Sequence, residues 1–241
     1  MKEPTFSPVA MKFLFKSGSW FAQLPDDVQN ALMAAGLCRN VHAGEKLYRQ
    51  GDAATGLHGL ISGELHITGS ASSGANLLMA IHRAGDWNGF LACIDKQPHA
   101  FSALAAVDCT TWSIPLDAIT NIFGKDAATF RMLVVPEIRV ARRAYHWLVE
   151  MTRRPPSQRI AERLIDLGRW THSERSGPIS PIENVNQDAL AAATNVSRQT
   201  MNGALKALEA LGLIKVGYGK VEILDIVALQ EYATSPQSKT I

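Results

Sequence analysis

The stretch from Val185 to Leu224, VNQDALAAATNVSRQTMNGALKALEALGLIKVGYGKVEIL, constrains the fold more than any other part of the chain. Asn186 is a good N-cap, and Asp188 suits the positive first turn that follows it. Leu190 and Ala193 then form the inner side of a short helix. Thr194-Asn195-Val196 is a tight connection, and Ser197 is a second N-cap. The next helix is expected to run to Leu211, with Gly212 as the residue just past its end. Met201, Ala204, Leu205, Leu208 and Leu211 recur at the spacing of a core-facing stripe, whereas Arg198, Gln199, Asn202 and Lys206 fall on the other face. Gly217-Tyr218-Gly219 between two alternating runs signals a hairpin, with Lys215 and Lys220 at its ends. Asp225 is placed to cap a closing helix over Ile226–Tyr232.

Short helix, three-residue turn and second helix make the bihelical unit whose second helix enters a major groove. A hairpin directly behind that helix is a wing. The residue types fit the task. Arg198 can bridge guanine O6 and N7, and Gln199 or Asn202 can bridge adenine N6 and N7. Ser197, Thr200 and the free N–H groups at the helix start can hold a phosphate. Lys206, Lys215 and Lys220 are expected to touch phosphates only. The competing account is a three-helix domain whose polar face is merely solvated. Helix, turn, helix and wing in that order favour the groove reader.

Upstream the pattern differs. From Val41 to about Pro115, glycines at 44, 51, 56, 59, 63, 69, 74, 85 and 89 separate short runs: Lys46–Tyr48, Leu57–Ile61, Leu65–Thr68, Leu77–Ile81 and Thr110–Ile114. That rhythm predicts an antiparallel barrel or jelly roll. Residues 20–37 read as helical, and residues 1–19 as a loose arm. A long helix is expected from Asp126 to Arg154, carrying Phe130, Leu133, Val134, Ile138, Ala141, Tyr145, Leu148 and Met151 as an apolar stripe that needs a partner surface. Pro136 lies within it, so the helix either bends there or begins there. Arg139, Arg142 and Arg143 read as a solvated basic face or, more sharply, as inter-subunit partners. Pro155-Pro156 stops the helix. A further amphipathic helix covers 157–171, and a polar loop covers 172–181. The division expected is 1–125, 126–154 and 155–241.

Charge says where a nucleic-acid argument must sit. The net charge is only +2. Residues 1–125 hold 9 Lys/Arg against 10 Asp/Glu, and residues 126–241 hold 15 against 12, so a local surface must carry any contact with DNA. The three cysteines, Cys38, Cys93 and Cys109, have no CxxC spacing and form neither a disulfide framework nor a zinc ribbon. Cys93 and Cys109 lie in apolar stretches and read as inert packing. No signal segment or membrane-length apolar run is present, so a reduced cytoplasmic setting is expected. No nucleophile–base signature, HExxH or phosphate loop points to an enzyme.

DALAAATNVSRQTMNGALKALEALGLI followed by GKVEILD resembles the helix-turn-helix of the cyclic AMP receptor protein/FNR family, and RIAERLIDL resembles the helix ahead of it. AGEKLYRQGD, LHGLISGELHI and AGDWNGFLACIDKQPHAFSALAAVDC are similar to that family's cyclic-nucleotide-binding barrel. The resemblance spans roughly residues 20–233. It implies an α+β chain: an N-terminal antiparallel β-roll of the cyclic-nucleotide-binding jelly-roll type, a long dimerisation helix, and a C-terminal winged helix-turn-helix. It further implies a bacterial homodimer on double-stranded DNA, with RNA polymerase a further partner. In relatives that bind cyclic nucleotide, the cassette reads Gly-Glu and, about ten residues on, Arg-Ser or Arg-Ala. Here it reads Gly89-Phe90 and His99-Ala100, so neither the ribose-binding carboxylate nor the phosphate-binding guanidinium is in place. Cyclic AMP or cyclic GMP in the usual pose is therefore not expected. Phe90, Trp87 and Tyr145 suggest an apolar or planar ligand instead, and Gly89, Phe90, His99, Ala100 and Tyr145 are the candidate effector residues. The FNR branch's N-terminal cysteine cluster is absent. Some relatives hold haem through a histidine. His42, His58, His66, His82 and His99 offer the residue type without a diagnostic spacing, so surface or strand histidines are favoured over ligands. The effector and any cofactor stay unassigned, and the competing function is a small-ligand or haem sensor in which DNA binding is secondary.

Overall fold

The computed structural model describes residues 7–70, 76–151, 154–169 and 180–235. These fall into two compact units. One takes the described residues up to Gly69 together with Ile81–Arg143, and the other takes those of Ser70–Ala80, of Ala144–Trp170 and from Ser176 onwards.

The first unit opens with helices α1 (Pro8–Lys16), α2 (Ser19–Ala22) and α3 (Asp26–Ala35). The loose arm expected over 1–19 is thus corrected for its described part. Ser7 caps α1 by accepting the Ala10 N–H, and Pro8 sits at its first position. Met11 and Phe15, four apart, bury into the core, which repays ordering the segment. The helix read over 20–37 is broken before Asp26, and its last residue, Leu37, belongs to β1.

Strands β1 (Leu37–Val41), β2 (Lys46–Tyr48), β3 (Gly56–Ser62), β4 (Glu64–Ser70), β5 (Asn76–Arg83), β6 (Trp87–Asn88), β7 (Ser102–Ala105) and β8 (Cys109–Pro115) build the roll, with α4 (Phe90–Asp95) between β6 and β7. Two four-stranded sheets run in the orders β1-β8-β3-β6 and β2-β7-β4-β5. Helix α5 (Leu116–Phe123) follows and packs Ile119, Ile122 and Phe123 into the same core as Phe15, Phe21, Trp20, Trp87 and Phe90. Aromatic rings dominate it: Phe15 lies 4.6 Å from Trp87, and Phe21 stacks on Trp87 at 5.7 Å.

Helix α6 (Ala127–Met151) runs without interruption through Pro136. A proline there removes the N–H that the carbonyl four residues earlier, that of Met132, would accept. The structure supplies a substitute: the Trp20 indole N–H donates to the Met132 carbonyl at 2.8 Å. A residue more than a hundred positions away thus satisfies the acceptor that the proline strands, and the helix need neither start nor stop at Pro136.

The second unit contains α7 (Pro156–Arg169), β9 (Ile182–Glu183), α8 (Gln187–Ala193), α9 (Arg198–Ala210), β10 (Ile214–Gly217), β11 (Lys220–Ile223) and α10 (Ile226–Thr234). Strands β10, β11 and β9 form an antiparallel sheet in that order. Its core is Ile160, Ala161, Leu164, Leu167, Leu190, Met201, Leu205, Leu208, Ile214 and Leu229. Leu211 does not join them: it is the residue that ends α9 and is 59% exposed, because Gly212 turns the chain with φ +71°. The polar loop expected over 172–181 lies outside the described residues except for its last two positions. Among the described residues, no helix is long and apolar enough to cross a membrane.

Candidate functional site

The second unit carries the candidate DNA interface. Asn186 caps α8 by accepting the Ala189 N–H at 2.7 Å, and Ser197 caps α9 by accepting the Thr200 N–H at 3.1 Å. Between the helices, Thr194 is buried and its hydroxyl donates to the Leu190 carbonyl, while Asn195 takes the left-handed conformation with φ +51°. An asparagine tolerates that region better than most side chains, so the turn can be three residues long.

This turn presents the start of α9. Ser197, Arg198, Gln199 and Thr200 are all exposed, Asn202 is half-buried and Lys206 is exposed one turn further on. Met201, Ala204, Leu205 and Leu208 hold the opposite face in the core. Gly203, on the outer face, has open space around it, so no side chain obstructs the approach of a partner there. Arg198 is tethered: its Nη1 lies 3.4 Å from Asp188 Oδ2 on α8.

The wing is fixed to the same helix. The Glu209 carboxylate on α9 accepts the Val216 N–H of β10 at 2.8 Å. Lys215 is exposed, and Tyr218 projects fully from the hairpin tip. Lys220 is not a free cation. It pairs with Glu183 of the neighbouring strand at 2.9 Å, and that hydrogen bond raises its pKa. Sequence reading did not find Glu183, because the β9–β11 pairing that brings it alongside joins residues nearly forty positions apart.

The first unit carries the position where a cyclic nucleotide cassette would lie. Gly89 adopts φ +96°, and a Cβ there would collide with the Gly56 carbonyl, so the turn into α4 needs glycine. Phe90 is 1% exposed and meets Trp20 edge-on at 4.8 Å. It belongs to the aromatic core, as does Trp87, which corrects the expectation that these rings face a ligand. Ala100 is exposed, and Tyr145 on α6 is 68% exposed.

His99 turns inward and is 3% exposed. Its ring stacks flat on Tyr48, with centroids 3.8 Å apart and planes 9° from parallel. Its Nε2 accepts the Thr55 N–H at 3.3 Å and lies 3.0 Å from the Thr55 hydroxyl, which is also 3.0 Å from His58 Nε2. His58 Nδ1 in turn is 2.9 Å from the Ser113 hydroxyl. These contacts fix the protons. A backbone N–H can only donate, so His99 Nε2 carries no proton. The Thr55 hydroxyl then donates to His99 and accepts from His58 Nε2–H, leaving His58 Nδ1 to accept from Ser113. His99, with one nitrogen accepting, is therefore neutral, and burial keeps His58 neutral. Burial pushes the His58 pKa down to about 3, with His99 and Arg39 adding to the shift. Burial also lowers that of His99, against the opposing effect of Asp52. Burial raises the Tyr48 phenol above its ordinary value.

Of the five histidines in this part of the chain, only His42 is exposed; His58, His66 and His82 are buried strand residues. His66 Nε2 lies 3.0 Å from Glu64 Oε1. Among the described residues, no three His, Cys, Asp or Glu side chains come together as a metal ligand set. Cys93 and Cys109 are buried, and burial pushes the Cys93 thiol up to about 12. Cys38 is exposed.

Residues 38–126 match the cyclic nucleotide-binding domain, and residues 158–232 match the Crp-like helix-turn-helix domain. The chain is 24% identical over 182 residues to the CRP-like cAMP-activated global transcriptional regulator of Mycobacterium tuberculosis, covering 76% of this chain and 81% of that one. It is 24% identical over 190 residues to the cyclic AMP receptor protein of Thermus thermophilus, covering 79% and 85%. The fold is that of FixK2 from Bradyrhizobium japonicum, with a TM-score of 0.70 at 17% identity over 84% of this chain and 99% of that one. With a nucleotide-binding-type roll, a long helix and a Crp-like helix-turn-helix in this order, the chain belongs to the cyclic AMP receptor protein/FNR family of DNA-binding transcription regulators.

Proposed function

We propose that this regulator acts in the cytoplasm as a homodimer that reads a near-palindromic DNA site, and that its β-roll does not take cyclic AMP or cyclic GMP in the family's usual pose. The three parts are residues 1–125 as effector-type domain, 126–154 as dimerisation helix and 155–241 as DNA-binding domain. The observation that carries the reading is the start of α9: a capped helix N-terminus with Arg198 and Gln199 exposed beside two hydroxyls. That is the chemistry of a base reader held in register by phosphate contacts. The partner helices supporting dimerisation are two copies of α6. Ile138, Ala141, Tyr145 and Leu148, spaced three, four and three apart, all stand exposed on it.

The case against cyclic nucleotides rests on His99. A phosphate needs a cation or free N–H groups. The cassette offers a neutral imidazole whose Nε2 already accepts from Thr55. Burying the charge there without a partner costs several kcal/mol.

Selection of bound duplexes from a random pool, followed by fluorescence anisotropy on half-site variants, tests the DNA reading. Arg198→Ala should cost about 1–3 kcal/mol and relax preference at one position per half-site. A uniform loss across all variants would assign Arg198 to a phosphate instead. Calorimetry with cyclic AMP and cyclic GMP tests the sensor reading, and micromolar affinity for either overturns it.

A further inference from the structure

We infer that Asp188 is a positioning residue for DNA recognition: its carboxylate holds the Arg198 guanidinium for a base edge and opposes its capture by phosphate. The inference rests on the proposed base-reading role of Arg198 and deepens it.

Three observations carry it. Asp188 Oδ2 lies 3.4 Å from Arg198 Nη1, and the two side chains come from different helices, the first turn of α8 and the first residue of α9. The pair therefore spans the two helices of the reading unit. Second, both helix starts are capped. Asn186 fixes the turn that carries Asp188, and Ser197 fixes the turn that carries Arg198. Third, the first turn of α9 contains no acidic side chain of its own, so Arg198 is a cation at the positive end of a helix. That placement is unfavourable, and the Asp188 carboxylate offsets it from the neighbouring helix.

As an exposed ion pair in water this contact contributes little to stability. Its consequence lies in what remains free. A guanidinium has five N–H donors in a planar fork. The contact to Asp188 engages Nη1 and leaves Nε and Nη2, a pair of parallel donors that matches guanine O6 and N7. An untethered arginine can swing to a phosphate, where it adds affinity without sequence information. A carboxylate beside it makes that alternative worse, because the carboxylate itself repels phosphate. The carboxylate thereby weakens binding to every duplex and sharpens the choice among them.

Removing the charge should consequently move two quantities in opposite directions. Loss of affinity from a merely structural residue would not do so. The test uses the full chain, the duplex selected by the wild-type protein, its single-base half-site variants and one random-sequence duplex. Asp188→Asn should bind the random duplex about twofold to tenfold more tightly, with a steeper salt dependence. Its preference for the guanine read by Arg198 should fall at least about threefold. Asp188→Glu, which keeps the charge, should retain most of that preference. On an Arg198→Ala background, Asp188→Asn should change the preference no further.

An unchanged preference in Asp188→Asn, or an equal loss on all duplexes, overturns the inference while Arg198 stands as the base reader. A uniform loss in Arg198→Ala overturns the Arg198 reading and this inference with it. Circular dichroism of each variant separates a disrupted α8 from a changed contact.

Discussion

The buried chain Tyr48–His99–Thr55–His58–Ser113 makes the stability of the β-roll depend on pH in a direction that can be worked out. His58 has a folded pKa of about 3, below the 6.5 of an unperturbed imidazole. The folded state therefore keeps the ring neutral, while the unfolded chain takes up a proton as pH falls through 6.5. Stability is full above that value and declines below it, until the folded ring itself titrates near 3. In this window one such group contributes a slope of about 1.4 kcal/mol per pH unit. Between pH 7 and pH 5, His58 alone should cost the fold about 2 kcal/mol, and His99, shifted the same way, adds to the loss. The perturbation is His58→Gln, whose amide can bond to Thr55 but cannot titrate. At pH 7 the variant should be less stable by about 1–3 kcal/mol, for imperfect packing and a lost hydrogen bond. At pH 5 the wild type has lost its advantage and the variant has not, so the gap should narrow by about 2 kcal/mol. Urea unfolding followed by tryptophan emission measures this, since Trp20, Trp87 and Trp112 all belong to the first unit. A gap that stays constant within about 0.5 kcal/mol from pH 7 to pH 5 would refute the assignment of a neutral, unprotonated His58.

Two further outcomes are expected. At micromolar concentration the wild-type chain should sediment at about twice its 26.2 kDa mass, and Ile138→Glu combined with Leu148→Glu should sediment at the monomer mass; a monomeric wild type defeats the role given to α6. Trp20→Phe keeps most of the ring in the core but leaves the Met132 carbonyl without a donor, so thermal melting should report a loss of about 1–3 kcal/mol, whereas Trp20→Phe matched by Pro136→Ala should recover part of it.

The helix-turn-helix was legible because its signals are local. Asn186, Ser197, Gly212 and Asp225 each act within a few residues of themselves, and each does in the structure what its type implies. The strand runs were legible for the same reason. α1 carries local signals too, Ser7-Pro8 at its start and Met11 with Phe15 one turn apart, but the prolines and serines around them mask the pattern. Leu211 fits the periodicity of α9 and still faces outward, because periodicity describes a helix and Leu211 lies where the helix has ended.

What the sequence could not give is where a substituted side chain goes. The sequence reads His99-Ala100 where the resemblance expects Arg-Ser or Arg-Ala, but the letters are equally compatible with an imidazole facing inward or toward solvent. The structure turns it inward because three partners from other strands and loops meet there: the face of Tyr48, the N–H of Thr55 and, through the Thr55 hydroxyl, His58. Tyr48 and His58 both lie in runs that read as strands, but their meeting with Thr55 and His99 joins residues that local signals do not bring together. Burial then decides the charge, since a ring with one nitrogen already accepting and no carboxylate bonded to it is cheaper to keep neutral. His99, which the resemblance sets where a cassette arginine is expected, is in this chain an uncharged part of the protein's own interior. That state follows from two contacts of one nitrogen, and the pH titration of His58→Gln against wild type is a measurement of the network those contacts build.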